Sequence, residues 1–444
     1  MKILLCQSYL GQRTGEPLVF PLGLAYIATA ISGEHEVRCW DPNVSSNAYE
    51  ELAKVVDEFS PEVVGISLRN IDSAFSFNKR SYYYPFVSMV KIIKRHAPES
   101  IMVVGGTAFS LFSREVMERN PEIDFGVVSE GELCFVELLR NLDHPEKVHD
   151  LVFRKNGHLI YTSQGMNVNF SNLPSVDRSF FALDKYKKSS YSIGIQSKRG
   201  CSYSCAFCPN RFLTRDGCAL RSPEKVVDEI EKLVNEYAPE SFYFVDATFN
   251  SPLWHAREIC REIIRRKIDV KWAADFRPEF MNASFVKEAV AAGCDLFSIS
   301  PDAASDSALQ LLRKGNTISD VEKTIELISR TEGANVAYSF LYDFPDSNVE
   351  HMLGLGRIIP KIMLKCRSKA KFISLSRVRI YPHTEFYKMA LKEGKITKDT
   401  DLLFPLHYES NSSALVKDFM PKLCRNSSIL FQRVGKLCQL PSKV

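Results

Sequence analysis

Three cysteines share one short stretch, Gly200-Cys201-Ser202-Tyr203-Ser204-Cys205-Ala206-Phe207-Cys208-Pro209. Thiolates spaced Cys-x3-Cys-x2-Cys on a tight loop can each ligate one iron of a [4Fe–4S] cubane. The fourth iron is then left without a protein ligand. An open iron can take a small chelator, such as the amino and carboxylate groups of a methionine. The rival readings are three idle thiols or a zinc site. Structural zinc asks for four closed ligands, and His255 or Cys218 would have to be recruited for the fourth. Of the 12 cysteines, Cys6, Cys39, Cys134, Cys260 and Cys294 stand singly in apolar patterns. There a buried thiol acts as a small hydrophobe.

The elements that must position this loop come in two βα runs. In the first, strands are expected at 2–6, 35–41, 62–68, 101–106 and 124–129. Helices are expected at 22–32, 48–58, 85–97, 110–120 and 132–142. Five strands with intervening helices imply a parallel sheet covered on both faces. The size suits the flavodoxin-like, Rossmann-like order 2-1-3-4-5, with a ligand crevice beside strands one and three. That crevice is bounded by the loops 8–23 and 67–72. Asn156-Gly157 between two short apolar runs signals a hairpin inside a linker at 143–189. The second run has strands at 191–196, 241–246, 270–275, 295–300, 336–342 and 372–380. Its helices fall at 223–237, 252–266, 283–292, 305–313, 318–331 and 349–365. Six βα units suit a partial (β/α)6 barrel at 190–390, with functional groups at the strand C-termini. The cysteine loop follows the first of these strands. The remainder, 391–444, shows no clear period and is read as a C-terminal extension that caps the barrel or lines a substrate site.

The cysteine spacing, on the loop after the first strand of a βα barrel, resembles the radical S-adenosylmethionine (SAM) superfamily over most of 190–390. The resemblance implies that Cys201, Cys205 and Cys208 bind the cluster and that the backbone at Phe207 abuts the SAM adenine. It implies reductive cleavage of SAM to methionine and a 5′-deoxyadenosyl radical. Weaker matches come in order along the chain. Arg221-Ser222 opens the next helix. The strand ending at Asp246, with Asn250 beyond it, stands where relatives hold the methionyl amine. Ser300 and Asp302 stand where relatives hold the ribose, with Lys314-Gly315 after the next helix. Tyr381-Pro382-His383-Thr384 resembles a late loop of the family. Two places depart from the pattern. The usual glycine–glutamate pair at the second strand end is absent, and Tyr342-Asp343-Phe344-Pro345-Asp346 replaces a Gly-x-Pro-x-Glu.

The first half resembles the cobalamin-binding domain fused to one branch of that superfamily. The matching pieces are Pro21-Leu22-Gly23, Gly105-Gly106-Thr107 and Ser129-Glu130-Gly131-Glu132, with Ser67-Leu68-Arg69 in the crevice loop. Glycines at strand ends let a bulky ligand approach the backbone, and helix N-termini offer free amides. The alternative is a Rossmann-like domain without a ligand. No Asp-x-His-x-x-Gly signature is present, so no domain histidine is expected beneath the cobalt. Arg69 is expected to keep that face free of a protein ligand, since an arginine stays protonated. A pairing of Arg69 with Asp72 is the plainer role for the same loop.

Composition sets the outer bounds. The 444 residues, 45% hydrophobic and 25% charged, fit two or three globular domains. A net charge of +4 is too small to argue for nucleic acid. No apolar run is long enough to span a membrane, and no signal peptide is recognised. A cytoplasmic, reducing location is expected. The resemblance therefore implies an enzyme using a [4Fe–4S] cluster, SAM and cobalamin, and an electron donor such as flavodoxin or ferredoxin. Methyl transfer through methylcobalamin to an unactivated carbon or phosphorus centre of a small molecule or peptide is the expected reaction. Rearrangement, cyclisation or carbon–carbon bond formation on the same architecture is the alternative, and a non-catalytic cobalamin or iron–sulfur sensor a remote one.

Overall fold

The structure, a computed structural model, describes residues 1–11, 18–76, 79–165, 168–215 and 217–410. Part of the loop 8–23 and the segment 411–444 lie outside the described residues.

Residues 1–161 build a seven-stranded sheet. Its strands are β1 (Lys2–Gln7), β2 (Glu36–Trp40), β3 (Val63–Ser67), β4 (Ile101–Gly105), β5 (Phe125–Val127), β6 (Leu151–Lys155) and β7 (His158–Tyr161). Their order is 2-1-3-4-5-6-7. The first five are parallel, in the flavodoxin-like order. Side chains alternate between faces. Ile3 and Leu5 pack with Leu24, Ala28 and Phe135 on one side. Leu4 and Cys6 pack with Leu52, Phe86 and Val90 on the other.

The stretch expected as a linker does more than connect. Asn156 and Gly157 adopt φ of 53° and 79°, as a tight hairpin turn requires. The hairpin they close pairs antiparallel with β5 and forms the sheet edge. Downstream, Phe170, Val176, Phe181, Leu183 and Tyr186 are buried in a core continuous with both halves.

The second sheet runs β8 (Ile193–Ile195), β11 (Ser241–Phe244), β12 (Lys271–Phe276), β13 (Cys294–Asp302), β14 (Asn335–Asp343) and β15 (Ala370–Arg377). All neighbours are parallel, and its two edge strands do not pair. It is a partial barrel. Between β8 and β11 lies a small antiparallel pair, β9 (Lys198–Gly200) and β10 (Cys218–Leu220), which the sequence pattern did not announce. The cysteine loop is the connection between these two strands.

Candidate active site

The cysteine loop is fixed from several sides. Asp246, at the end of β11, accepts from the amides of Ser197 (2.8 Å) and Lys198 (3.0 Å) and from the Ser197 hydroxyl. Lys198 Nζ donates to the carbonyls of Phe249 (2.7 Å) and Ser251 (3.0 Å). Gly200 holds φ +96°, and a Cβ there would meet the Gly217 carbonyl oxygen at 1.9 Å, so only glycine fits. Tyr203 lies under the Arg277 guanidinium, 3.5 Å from its ring centre, and its hydroxyl contacts Ser251. The Ala206 amide donates to Leu312 O, and the Phe386 amide donates to Ala206 O.

The three thiols are half-buried. Burial pushes Cys205 up and Cys208 up to about 12, with Lys314 opposing the rise. Burial therefore favours the protonated thiol at Cys205 and Cys208, and bound iron would supply the positive charge that favours the thiolate. Among the described residues no trio of ligating side chains converges on the position of a single ion. A cubane asks for one thiolate per iron, and three thiols spread along a pinned loop suit that wider geometry.

The expected SAM contacts divide into two sets. Asp246 and Asn250 are buried and already engaged. Asn250 bridges the backbone of Arg277 through both ends of its amide, at 2.8 Å each. These two side chains brace the loop rather than face a vacant site. Asp302, with φ +66°, pairs with Lys314 at 2.7 Å. Burial raises its pKa while Lys314 opposes, and that lysine lies close enough to Cys205 to interact with it. Ser300 is half-buried on the same strand, and Phe207 packs near Phe386 at 6.5 Å between ring centres. Sequence reasoning missed Lys198, Tyr203 and Arg277 as loop supports. Arg277-Pro278 carries no mark in sequence beyond that of a helix start.

A cavity of about 410 Å³ opens between the two halves. Gly23, Ser67, Gly105, Gly106, Thr107 and the run 129–132 form its first-domain wall. Gln196, Lys198, Arg199, Gly200 and Asn210 form the wall nearest the cysteines. Pro21 caps the helix Leu22–Ile31 without lining the cavity, and Leu22 packs toward Gly194 of β8. Leu68 is a core residue whose carbonyl accepts from Ala108.

A Cβ at Gly106 would meet Leu68 O at 2.8 Å at φ +101°, so its own backbone requires this glycine, which also lines the cavity. Gly23 is the reverse case: a Cβ there meets nothing within 4 Å and would project from the cavity wall. Glu130 and Glu132 are held by Arg199 at 3.1 and 2.8 Å, so the expected cobalamin residues clamp the first domain to the strand preceding the cysteines.

Arg69 does not pair with Asp72. Asp72 forms a buried ion pair with Arg379 at 2.8 Å. The Nε of Arg69 is buried without a hydrogen-bond partner, and burial lowers its pKa. The residue lines a second cavity of about 370 Å³, which shares Thr107, Asn210 and Leu213 with the first. An orphaned guanidinium nitrogen and a glycine-lined wall fit a large polar cofactor laid across both cavities.

A family model for the B12 binding domain matches residues 13–139, and one for the radical SAM superfamily matches residues 195–356. The chain belongs to the cobalamin-binding radical SAM enzymes. Its cofactors are accordingly cobalamin in the first domain and a [4Fe–4S] cluster with SAM in the second.

Among curated relatives, this radical SAM protein is 26% identical over 380 residues to an uncharacterized methyltransferase of Pyrococcus horikoshii. That match covers 84% of this chain and 78% of the relative. It is 25% identical over 330 residues to an anaerobic magnesium-protoporphyrin IX monomethyl ester cyclase of Cereibacter sphaeroides. There it spans 70% of this chain but only 52% of the relative. The fold is shared with the radical SAM methyltransferase TsrM from Kitasatospora setae, solved with cobalamin and a [4Fe–4S] cluster. The TM-score is 0.76 at 20% identity, covering 88% of this chain and 75% of that one. It is shared also with the cobalamin-dependent radical enzyme OxsB, with a TM-score of 0.77 at 17% identity, covering 96% and 66%.

Proposed function

We propose that this enzyme transfers a methyl group from SAM, by way of cobalamin, to an unactivated carbon or phosphorus centre of a small molecule or peptide. The observation that carries the reading is the shared cavity. One wall is the cobalamin domain's strand ends, and the other is the strand and helix that flank the cysteines. Cobalamin held by the first wall would thus face the β9 strand and the helix Asn210–Leu213 on either side of the cysteine loop. When bound, cobalamin supplies methyl transfer, and cluster and SAM supply the substrate radical. The chain's own part is positioning. Asp246, Asn250 and Lys198 hold the loop of Cys201, Cys205 and Cys208. Phe207, Ser300 and Asp302 present themselves for SAM. Gly23, Ser67, Arg69, Gly105 and Thr107 present themselves for the corrin and its tail. The P. horikoshii relative's name supports methyl transfer.

The cyclase relative favours a second reading, ring closure without methyl transfer. Anaerobic turnover with methyl-labelled SAM, a flavodoxin- or ferredoxin-type reductant and candidate substrates separates the two. Methyl transfer gives a product heavier by one labelled methyl. Cyclisation gives 5′-deoxyadenosine without label in the product. The Cys201→Ala/Cys205→Ala/Cys208→Ala variant is expected to lose iron and both activities. Retention of a full cluster in that variant would overturn the assignment. No helix among the described residues is long and apolar enough to cross a membrane.

A further inference from the structure

The inside of the barrel is not filled as a barrel core ordinarily is. Strand residues alternate between two faces. Phe242, Phe244, Trp272, Phe276, Phe297 and Ile299 lie on the helix-covered face and are buried. Their neighbours Tyr243, Asp275, Ser298, Ser300, Ala337 and Ser339 face the lumen and are only half-buried. Ordinary barrels pack this space with Val, Ile and Leu. Here alanine, serine and a carboxylate leave it open. The strands set these groups side by side, Asp275 in register with Ser298 and Ser298 with Ala337. Leu296 and Phe372, on the same face of their strands, add apolar wall. At one end the Tyr191 hydroxyl donates to Asp295 at 2.6 Å, from the start of β8 to the start of β13. At the other end Val245 and Ala247 line the cavity shared with the cobalamin domain. The lumen thus opens toward the cofactors and is floored by Tyr191.

Asp275 gives this lumen its chemistry. Tyr243 and Ser298 hydrogen-bond its carboxylate. A carboxylate offers about four acceptor positions, so two hydroxyls leave some of them free. Lys314 acts on Asp275 through its charge, but that ammonium is paired with Asp302 at 2.7 Å. Burial raises the pKa of Asp275, because a carboxylate drawn out of water is costly unless a cation answers it. The wall supplies only part of that answer, so an occupant bearing positive charge completes it. The position also suits a substrate. Ser300, expected to meet SAM, stands two residues closer to the mouth than Ser298 on β13, about 7 Å along the strand. Asp275, level with Ser298, is therefore deeper than the SAM contact. A substrate activated at the mouth extends toward it, past the apolar wall of Leu296 and Phe372.

We propose that the barrel lumen is the substrate pocket and takes an amine, its ammonium held by Asp275 and its apolar body laid against Leu296 and Phe372. This rests on the reading that SAM activates the substrate at the barrel mouth, and it holds for methyl transfer and cyclisation alike. Equilibrium dialysis of the anaerobically reconstituted holoenzyme, with SAM present and no reductant, tests it with three probes: phenethylamine, phenethyl alcohol and hydrocinnamate. Phenethylamine is expected to bind at least about tenfold more tightly than the other two, as a charged hydrogen bond gives. Asp275→Asn, which keeps the shape of the side chain, is expected to abolish that preference. Ala337→Leu restores the bulk usual inside a barrel. It is expected to keep the circular dichroism of the wild type and to lose the amine. Binding of the alcohol or the acid as tightly as the amine, binding of none of the three, or a preference that survives Asp275→Asn would overturn the proposal. So would displacement of SAM by the amine, which would assign Asp275 to SAM. The readout is binding without turnover, so its failure stands apart from that of the proposed reaction, which labelled SAM decides.

Discussion

Two glycines of the cobalamin domain separate what the fold needs from what a ligand needs. Gly106 is locked by φ +101° and the neighbouring Leu68 carbonyl, whereas Gly23 faces open space on the cavity wall. Gly106→Ala is expected to destabilise the protein by about 1–3 kcal/mol with or without cobalamin. Gly23→Leu is expected to leave the thermal midpoint of the apoprotein unchanged or raised, since glycine is a poor helix residue, while weakening cobalamin uptake at least tenfold. Equal uptake by Gly23→Leu and wild type would remove this wall from the cobalamin site. Arg69 gives a third test. With no histidine signature and an unpaired Nε in the crevice, the bound cofactor is expected without an axial protein nitrogen. Electron paramagnetic resonance of the cobalt(II) form checks it: superhyperfine splitting from such a nitrogen would count against the expectation. The cysteines were legible because their spacing is local. Asp246 and Asn250 stood out too, but their engagement with Ser197 and Arg277 depends on strand ends that meet only in the folded barrel.

At the scale of elements, the strands were legible because parallel strands buried on both faces read as continuous apolar runs bounded by turn residues. β3 (Val63–Ser67) and β12 (Lys271–Phe276) fall within a residue of the expected positions at most ends. Short pieces without an apolar run escaped. β9 and β10 have three residues each, and their pairing brings Gly200 so close to Gly217 that only glycine fits there. The expected helix at 110–120 is broken at Phe112, whose φ of −125° separates Thr107–Leu111 from Ser113–Arg119. The link between β9 and the first domain was equally hidden, since an ion pair between Arg199 and residues some 70 positions upstream leaves no local trace. Arg199→Met leaves the poorly hydrated carboxylates of Glu130 and Glu132 without their cation. It is expected to cost about 3 kcal/mol in denaturant unfolding. It is also expected to loosen cobalamin uptake and cluster retention together, because the same residue ties both walls. Loss of stability with both cofactors retained at wild-type levels would show that the clamp serves the fold alone.

For the whole molecule, the two halves behave as one body because their core is continuous and polar staples cross between them. Asp72 and Arg379 form one staple, and the same arginine donates to Leu402 O at 2.6 Å. His407 Nε2 donates to Ala74 O at 3.0 Å and forms another, tying the crevice loop of the first domain to the chain that succeeds the barrel. Leu402 and Leu403 pack into the core of the first domain, so the beginning of the extension is structural. Burial lowers the pKa of His407 to about 4, and those of His255 and His351 likewise. His351 accepts from the Ala304 amide at Nδ1 and donates to Leu341 O at Nε2, an arrangement that only the neutral ring can make. The unfolded chain binds protons on these rings near pH 6.5, while the folded chain binds them only near pH 4. Their contribution is therefore fully present above about pH 6.5 and is lost as the pH falls toward 4, since protons favour the unfolded state throughout that window. Denaturant unfolding at a series of pH values should show falling stability from pH 7 to pH 5, with up to about three protons taken up on unfolding near pH 5. His407→Gln, which keeps a donor for Ala74 O, should remove about one of those protons and flatten the slope. A slope near pH 5 unchanged by this substitution would mean that His407 does not stay neutral between the two halves.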